Sequence, residues 1–512
     1  MALRTSSILG LLLAAVLHIE PAHAAVSKTI TLNNNANQAV LEDDGITTNR
    51  LVRIRSLNNS FTTVTFELPT SELIINLGGG DDTLSVSGTG ITGFTAKLTI
   101  NGGAGNDTTT VEQLISTQGV CWNDTVGTSQ GLNIRSCKLT GSIQISDGDG
   151  AGGLGLDSSQ VGPVSFTSTN GNAGFFIYHS RINGKLNIQN KGNGTDTIRF
   201  DGCSVSDDAY LDMGNGPVET QGLFSTFEGN FSLLAGSGAF TTTFGDSGFY
   251  KSFFQDFLEG STDTKFYVVS VNGYADIQSG LGFDQLLLAN VYAGIVNIHN
   301  GDGGSKVSTL SESFTGVAFN ISSLNITNGE GADTFTTKGP RASTRAGHIG
   351  SLEINNGIGN SVTEITDPLT EVEYVHVAAG TGYDILKFGD TRIGTIIADL
   401  HDGGSSTTFD RTLVEGIDPN LGGPTFGGGM FAFYGGAGND QILLDGAATY
   451  YGPVYIDLAG GTDLVDIATE STNPFFGPLV IDGGAGNDTI INPPVPQSFP
   501  GYLEIMNFEL AL

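Results

Sequence analysis

The sequence predicts an all-β protein, an elongated right-handed parallel β-helix (a solenoid) with about 22–28 residues per coil. Three observations indicate this fold. A glycine recurs at one position of a repeated turn, apolar and polar residues alternate on both sides of that turn, and the apolar residues show no helical period of three or four. The recurring glycines are Gly80, Gly105, Gly282, Gly331, Gly359, Gly382, Gly438, Gly461 and Gly486.

Two residues after each of these glycines lies one position, here called the slot, that usually carries aspartate. The slot residues are Asp82, Asp107, Asp284, Asp333, Ser361, Asp384, Asp440, Asp463 and Asp488. Lys306 and Ser406 are counted as slots of two further coils in which the turn is degenerate. From Asp82 to Asp488 we expect about eighteen coils, each presenting one residue at the same place on the rod.

Apolar residues precede and follow each turn with a period of two. Leu73 and Ile75 come before the first turn, Leu84 and Val86 come after it, and later turns repeat the pattern. Since alternate side chains of a strand share one face, each coil is predicted to be strand, turn, strand with one face inward. Glycine suits the corner because the next coil approaches its backbone closely. Helix is expected to be almost absent outside the leader.

The first residues are typical of a cleavable signal peptide, predicted as 1–24. Arg4 precedes an apolar run from Ile8 to Val16, and Ala22-His23-Ala24 offers a small-residue cleavage site. A membrane anchor is the alternative, but spanning a bilayer needs roughly 20 apolar residues, more than this run supplies. We therefore expect an exported protein, secreted or at the cell surface, with no transmembrane segment.

Both ends of a solenoid need covering, because an open coil exposes unpaired strand edges. Residues 25–70 are predicted to form an N-terminal cap, with strands from Leu51 to Ile54 and from Phe61 to Leu68. The repeat domain then covers 71–492, and 493–512 form a C-terminal cap that ends in a strand from Tyr502 to Leu512. Residues 338–347 and 411–429 are expected to loop out of the rod, either as binding loops or as tolerated insertions.

Charge and cysteine content limit the partners. The formal net charge of −32 disfavours nucleic acid and favours either bound cations or simple solubility. Three cysteines, Cys121, Cys137 and Cys203, are too few for a disulfide framework. A single bond between Cys121 and Cys137, one coil apart, stays open.

Three turns read GGAGND in full, at 102–107, 435–440 and 483–488. They resemble the hemolysin-type (RTX) calcium-binding repeat, GGxGxDxUx, in which U is a large apolar residue. The resemblance covers the turns and not the coils between them, because the spacing here exceeds that family's nine residues. It implies that calcium lies between stacked turns. The implied ligands are Asp107, Asp440 and Asp488, then Asp82 and Asp463, with weaker matches at Asp284, Asp333 and Asp384. The alternative is that these aspartates only accept hydrogen bonds from backbone amides of the corner.

For the function, we expect an extracellular binding, adhesion or scaffold protein that contacts carbohydrate or cell-surface matrix. The alternative is a polysaccharide lyase or hydrolase of the β-helix type, for which Asp207, Asp208, Arg181 and Lys185 are the candidate residues. We favour the binding protein, because no recognised catalytic motif occurs. A set of aromatic residues is expected either to stack sugars at the surface or to build the core: Phe224, Phe227, Phe231, Phe249, Tyr250, Phe253, Phe254 and Phe257.

Overall fold

A computed structural model describes residues 26–511 except 47, 125, 128–129, 311–318, 339–346, 369, 415, 419–422, 426–428, 445–447, 468–474 and 495–501. The predicted signal peptide and residues 339–346 of the first predicted loop lie outside the described residues, whereas just over half of the second predicted loop, 411–429, is described. The described chain is the all-β parallel solenoid that the sequence predicts, with about 17 turns and no helix. At the usual spacing of hydrogen-bonded strands the rod is roughly 80 Å long.

The strands stack in register into three parallel ladders, one before each glycine turn, one after it, and a third of short strands such as Lys138–Leu139, Gln160–Val161 and Arg181–Ile182 that follow the second sheet. The first and third ladders together form the first sheet. The first sheet contains 29 strands. They are Lys28–Thr31, Glu72–Gly79, Lys97–Ala104, Ile115–Ser116, Val120–Asp124, Lys138–Leu139, Ile143–Asp147, Gln160–Val161, Val164–Ser168, Arg181–Ile182, Leu186–Asn190, Ser204–Val205, Ala209–Asp212, Thr226–Phe227, Phe231–Ala235, Gly248–Phe249, Phe253–Phe257, Ser270–Gln278, Tyr292–His299, Asn320–Thr327, Gly347–Asn355, Thr370–Ala379, Arg392–Leu400, Leu413–Val414, Phe431–Tyr434, Thr449–Tyr450, Val454–Asp457, Leu479–Asp482 and Leu503–Met506.

The second sheet begins after each glycine turn. Its strands are Gln38–Asp43, Leu51–Ser56, Val64–Glu67, Thr83–Ser87, Thr108–Glu112, Gly131–Arg135, Gly152–Asp157, Ala173–Tyr178, Asp196–Asp201, Val218–Leu223, Phe240–Gly245, Thr262–Tyr267, Asp284–Ala289, Ser305–Leu310, Asp333–Lys338, Ser361–Ile365, Asp384–Gly389, Ser405–Asp410, Asp440–Leu444, Leu464–Ile467, Thr489–Ile491 and Leu510–Ala511. Two small pairs complete the described strands, Gly416–Asp418 with Gly423–Thr425 and Gly460–Gly461 with Ala485–Gly486.

Alternation of apolar and polar residues puts one face of each strand inside the rod. Leu73, Ile75, Leu84 and Val86 have no exposed surface, while the residues between them are partly exposed. Neighbouring coils pair residue by residue, so the apolar side chains form continuous columns along the axis. A shift of one residue would turn every column outward, which is why the pattern fixes the register.

Stacked phenylalanines fill the middle of the core. Phe227 and Phe249 lie parallel at 5.2 Å between ring centroids, and Phe231 and Phe253 do so at 5.5 Å. Together with Phe257 these residues are buried, which confirms the core interpretation for most of the aromatic set. Phe224 and Tyr250 are exposed, at 64% and 59%, and Phe254 is only partly buried, on the outer face of its strand.

A second corner, which the sequence reasoning did not recognise, follows the strands of the second sheet. Residues such as Ser136, Ser158 and Phe224 have a left-handed backbone there, with φ near +50°. Small polar residues follow them and bond from coil to coil. The Ser159 hydroxyl accepts the backbone N–H of Cys137 at 3.0 Å, and the next coil repeats this contact. Cys121, Cys137 and Cys203 are all free thiols, so the bond between Cys121 and Cys137 does not form.

The two ends differ from the middle. At the N-terminus, Gln38–Asp43 pairs parallel with Thr83–Ser87 and antiparallel with Leu51–Ser56, so the chain reverses where a further parallel coil would lie. The observed strand Val64–Glu67 is shorter than the one predicted from Phe61 to Leu68. At the other end Leu503–Met506 continues the ladder before the glycine turn, and Leu510–Ala511 continues the ladder after it. The single strand predicted from Tyr502 to Leu512 is therefore two strands.

Candidate functional site

The slot residues form one straight column along the rod. Strand register aligns them in the order Asn37, Asp82, Asp107, Gln130, Gly152, Ala173, Asp196, Val218, Phe240, Thr262, Asp284, Ser305, Asp333, Ser361, Asp384, Ser405, Asp440, Asp463 and Asp488. The assignments of Lys306 and Ser406 are wrong by one residue. Gly304 and Gly404 take positive φ there, and the slot follows them directly.

Each slot aspartate is buried and binds the coil that precedes it. Oδ1 of Asp107 accepts the backbone N–H of Asp82 at 2.8 Å. In the last coils, Oδ1 of Asp463 accepts the N–H of Asp440 at 2.8 Å, and Oδ1 of Asp488 accepts that of Asp463 at 2.9 Å. The carboxylates therefore continue the strand ladder around a corner where backbone pairing is interrupted.

A second, exposed column lies one residue before the slot and points the other way along the rod. Oδ1 of Asp81 accepts the N–H of Asn106 at 2.9 Å, and Oδ1 of Asn439 accepts that of Thr462 at 2.9 Å. In this outer column each acceptor binds the following coil. The corner is thus held by two side-chain ladders of opposite direction.

In the middle of the rod, hydroxyl and carboxylate alternate in the slot. Ser305 donates its hydroxyl to Asp333 at 2.8 Å, and Ser361 donates to Asp384 at 2.6 Å. Ser405 donates to Asp440 in the same way, although 35 residues separate the two in sequence, the longest interval among these three serine–aspartate contacts. A neutral donor thus separates successive charges here, whereas Asp82 and Asp107, and the trio Asp440, Asp463 and Asp488, follow one another directly.

The second oxygen of most slot aspartates is buried without a hydrogen-bond partner. This holds for Oδ2 of Asp82, Asp107, Asp196, Asp284, Asp440, Asp463 and Asp488. Burial raises the pKa of Asp82 to about 6, that of Asp440 to about 7 and that of Asp463 to about 6. The charge of the next aspartate in the column adds to this effect at all three. An unpaired buried carboxylate oxygen is costly, so each one favours a proton or a cation beside it.

The first glycine of the GGAGND turn makes room for that oxygen. A methyl group added at Gly435 would collide with Oδ2 of Asp440. At Gly102 it would lie 2.8 Å from Oδ2 of Asp107 and 2.5 Å from Oδ2 of Asp124. The glycine therefore leaves interior space beside the buried oxygen, whereas the turns of Asp82 and Asp463 have the buried side chains of Leu77 and Leu458 at this position.

Four buried acids escaped the sequence reasoning, and one of them, Asp367, lies away from the glycine turn and accepts the Thr370 hydroxyl. Asp196 occupies the slot two residues after Gly194, so the glycine rule itself identifies it. Asp124 and Asp147 end strands of the first sheet and point into the rod from the other side of the turn, where no glycine motif marks them. Burial, reinforced by the Asp107 carboxylate within hydrogen-bonding reach, raises the pKa of Asp124 to about 8.

The four residues considered for catalysis are not assembled into a site. Lys185 contacts Asp208 at 3.5 Å, with both side chains largely exposed. Arg181 instead bonds its neighbour Asn183, and Asp207 accepts the N–H of Asp208. The backbone N–H of Asn230, and then Lys185, lower the pKa of Asp208, so this carboxylate stays ionised as half of a surface ion pair.

Among the described residues, no three His, Cys, Asp or Glu side chains converge as a ready-made metal site. The same part of the chain has no helix that could cross a membrane. Comparisons with protein-family models, with curated proteins and with solved structures found no match to this chain. The aspartate column, the feature with the most unusual chemistry, therefore has to be interpreted from its own geometry.

Proposed function

We propose that this protein is an exported, acidic, rod-shaped binding or scaffold protein whose aspartate corner binds calcium. The observation that carries the proposal is the row of buried Oδ2 atoms without partners at Asp440, Asp463 and Asp488. Calcium prefers carboxylate and carbonyl oxygens, and one Ca²⁺ would neutralise two of these groups. The leader sequence supports export, which would bring the corner into a calcium-rich compartment.

The residues fit calcium in part. Three consecutive coils each supply one unpaired carboxylate oxygen on the same edge, with Gly435 beside that of Asp440 and the buried Leu458 at the corresponding position before Asp463. A calcium ion takes six to eight oxygens, so backbone carbonyls and water would have to supply the others. Asp82 and Asp107 offer two adjacent oxygens of the same kind near the N-terminus.

The middle of the rod fits calcium less well. A neutral hydroxyl there lies between successive carboxylates and already donates a hydrogen bond to one oxygen of the next aspartate. The donors are Ser305, Ser361 and Ser405. Neighbouring charges there lie two coils apart instead of one. We therefore assign the cation preference to the C-terminal trio first and to the N-terminal pair second.

Bound calcium would act here as a structural clamp. It would remove the repulsion between adjacent carboxylates and join the coils that contribute them, which stiffens the rod. Affinities of extracellular calcium modules lie at about 10⁻⁴ to 10⁻³ M, which matches a site that adds a few ligands to an existing fold. A rigid acidic rod of this kind suits a scaffold that presents its flat faces to carbohydrate or matrix.

Thermal melting of the mature chain at neutral pH tests the proposal. We expect millimolar Ca²⁺ to raise Tm relative to chelator, and Mg²⁺ to do so less because it dehydrates reluctantly. Asp463→Asn should abolish the calcium response, since it removes the central charge of the trio and keeps an acceptor for the Asp440 amide. Asp384→Asn is the matched control, as it lies between hydroxyl-bearing coils. An unchanged Tm, or an equal loss in both variants, would contradict a calcium role for the trio.

A further inference from the structure

A cleft crosses the outer face of the second sheet and reaches the corner at slot residues Gln130, Gly152 and Ala173, which are not aspartates. Two adjoining depressions of about 450 and about 330 Å³ share Asn133, Gly155 and Phe176 in their walls. Five successive strands contribute to them, from Thr108–Glu112 to Asp196–Asp201. Together they reach the size range of ligand sites, and both are open to solvent.

The cleft exists because outward-facing side chains are missing. Register aligns Thr108, Gly131, Gly153, Gly174 and Thr197 in one row along the rod, so three glycines replace the threonines found on either side.

Gly131 is the informative member of this row. A Cβ added there would meet nothing within 4 Å, and its φ lies outside the left-handed region. The fold does not require glycine at this position, and what glycine provides is open space.

Aromatic side chains form one wall of the cleft. Phe176 is 37% exposed, and its ring lies 6.4 Å from that of Tyr178 with only 25° between the planes. A methyl group at Gly174 would come within 2.9 Å of the Phe176 ring, so this glycine allows the ring to lie down over the strand. Flat rings left in water at a cleft form a surface on which the C–H face of a sugar ring packs, and such contact removes apolar area from water.

Polar groups and charge indicate which sugar would fit. Asn133, Asn172 and Thr197 line the cleft and offer amide and hydroxyl groups to sugar hydroxyls. The cations at its edge are balanced, because Arg135 faces Glu112 at 3.7 Å and Arg199 faces Glu219 at 3.4 Å. With a formal net charge of −32 on the whole chain, a polyanionic glycan would be repelled and an uncharged one would not.

We propose that this cleft binds an uncharged glycan chain through the Phe176–Tyr178 wall and the glycine floor. This inference rests on the binding role proposed above, and it names the ligand class, but it does not depend on calcium. The glycine row gives the glycan its space, the two rings give stacking, and the amides and hydroxyls give orientation.

The test is calorimetric titration of the full mature chain with neutral hexasaccharides of glucose, xylose and mannose, and with hexagalacturonate as the charged counterpart. We expect at least one neutral hexasaccharide to bind and hexagalacturonate not to bind. Phe176→Ala and Gly131→Thr should each weaken binding by about tenfold or more. Gly131→Thr should leave Tm unchanged, because the added side chain enters open space.

Tyr250→Ala is the matched control, since this exposed aromatic lies outside the cleft. Absence of binding by every neutral hexasaccharide, preference for hexagalacturonate, or equal loss in Tyr250→Ala would each overturn the proposal. Failed glycan binding together with an intact rise of Tm in calcium would overturn the cleft alone and leave the aspartate corner unaffected.

Discussion

The last coils and the middle coils use the same corner in two ways. From Asp284 to Ser405 the slot alternates between aspartate and serine, and each serine hydroxyl donates a hydrogen bond to the slot aspartate of the next coil. From Asp440 to Asp488 three aspartates follow without a spacer, and Oδ1 of each accepts a hydrogen bond from the backbone amide of its predecessor or from the Ser405 hydroxyl. The comparison teaches that the column holds the coils together in both regions, while unpartnered carboxylate oxygens lie in directly adjacent coils only where the spacers are missing.

The largest expected effect comes from pH, because many buried carboxyl groups act together. Burial raises the pKa values of Asp82, Asp196, Asp284, Asp384 and Asp440 to about 6 or 7, above the usual 3.8. The folded state therefore holds more protons than the unfolded state between about pH 4 and pH 7, so stability falls as pH rises through this window.

In chelator, Tm should be higher near pH 5 than near pH 8 by on the order of 5 °C or more. Melting curves in matched buffers measure the difference. Calcium should reduce it by stabilising the ionised trio near pH 8. A Tm that stays the same from pH 5 to pH 8 in chelator would mean that these carboxyl groups keep their ordinary pKa in the fold, and a Tm that rises would mean that the fold lowers it.

Filling the turn should have the next largest effect. Gly435→Val places carbon atoms where Oδ2 of Asp440 and the backbone of Leu458 lie, and overpacking of this kind costs about 1–3 kcal/mol. Urea denaturation measures the loss in the free energy of unfolding. Ala437→Val, in the same turn but exposed, is the control and should cost little. Equal costs for both variants would show that the first glycine does not make room for the carboxylate.

A gain-of-function substitution sharpens the comparison. Ser361→Asp removes the spacer between Asp333 and Asp384 and so copies the C-terminal trio in the middle of the rod. It should destabilise the chain in chelator by about 1–3 kcal/mol, because it replaces a hydroxyl donor with a third buried charge. Calcium should restore part of this loss. The measurement is the Tm of Ser361→Asp and of the wild type, each with calcium and with chelator. If calcium raised the Tm of the variant no more than that of the wild type, the account would be contradicted.

The smallest effect is expected in the outer column. Asn439→Ala removes the acceptor for the Thr462 amide at 2.9 Å, but this amide is exposed and water replaces the lost bond. We expect a loss of about 0.5–1 kcal/mol in the free energy of unfolding, with an unchanged calcium response. A loss as large as that in Gly435→Val would show that the hydrogen bonds of the outer column contribute as much to the stability of the corner as the packing around the slot aspartates.

Much of the fold follows from the sequence. The period-two alternation and the glycine turns together determine where each strand lies, which of its faces is buried and how it is aligned with the neighbouring strands. Most slot aspartates follow from the same rule, and Asp196 could have been found with it. The errors at Lys306 and Ser406 arose because two glycines are consecutive there, and counting from Gly304 and Gly404 instead of Gly303 and Gly403 moves the slot one residue too far. The second corner has no glycine rule, since serine, phenylalanine and other residues adopt its left-handed conformation.

The cleft and the direction of the hydrogen bonds needed the structure. Gly131, Gly153 and Gly174 look like ordinary turn glycines until register aligns them on an outer face. Likewise, the sequence places Asp463 next to Asp440 but does not show that one oxygen is used and the other is left without a partner. Such information depends on side-chain orientation across coils that lie more than 20 residues apart in sequence.

Calcium titration calorimetry at neutral pH, in two buffers of different ionisation enthalpy, tests the central claim most directly. Because burial raises the pKa of Asp440 to about 7 and that of Asp463 to about 6, calcium should displace protons from these two carboxyl groups. The account predicts saturable binding with a Kd of about 10⁻⁴ to 10⁻³ M, a heat that depends on the buffer, and loss of both in Asp463→Asn. Absence of binding, or binding unchanged in Asp463→Asn, would contradict it.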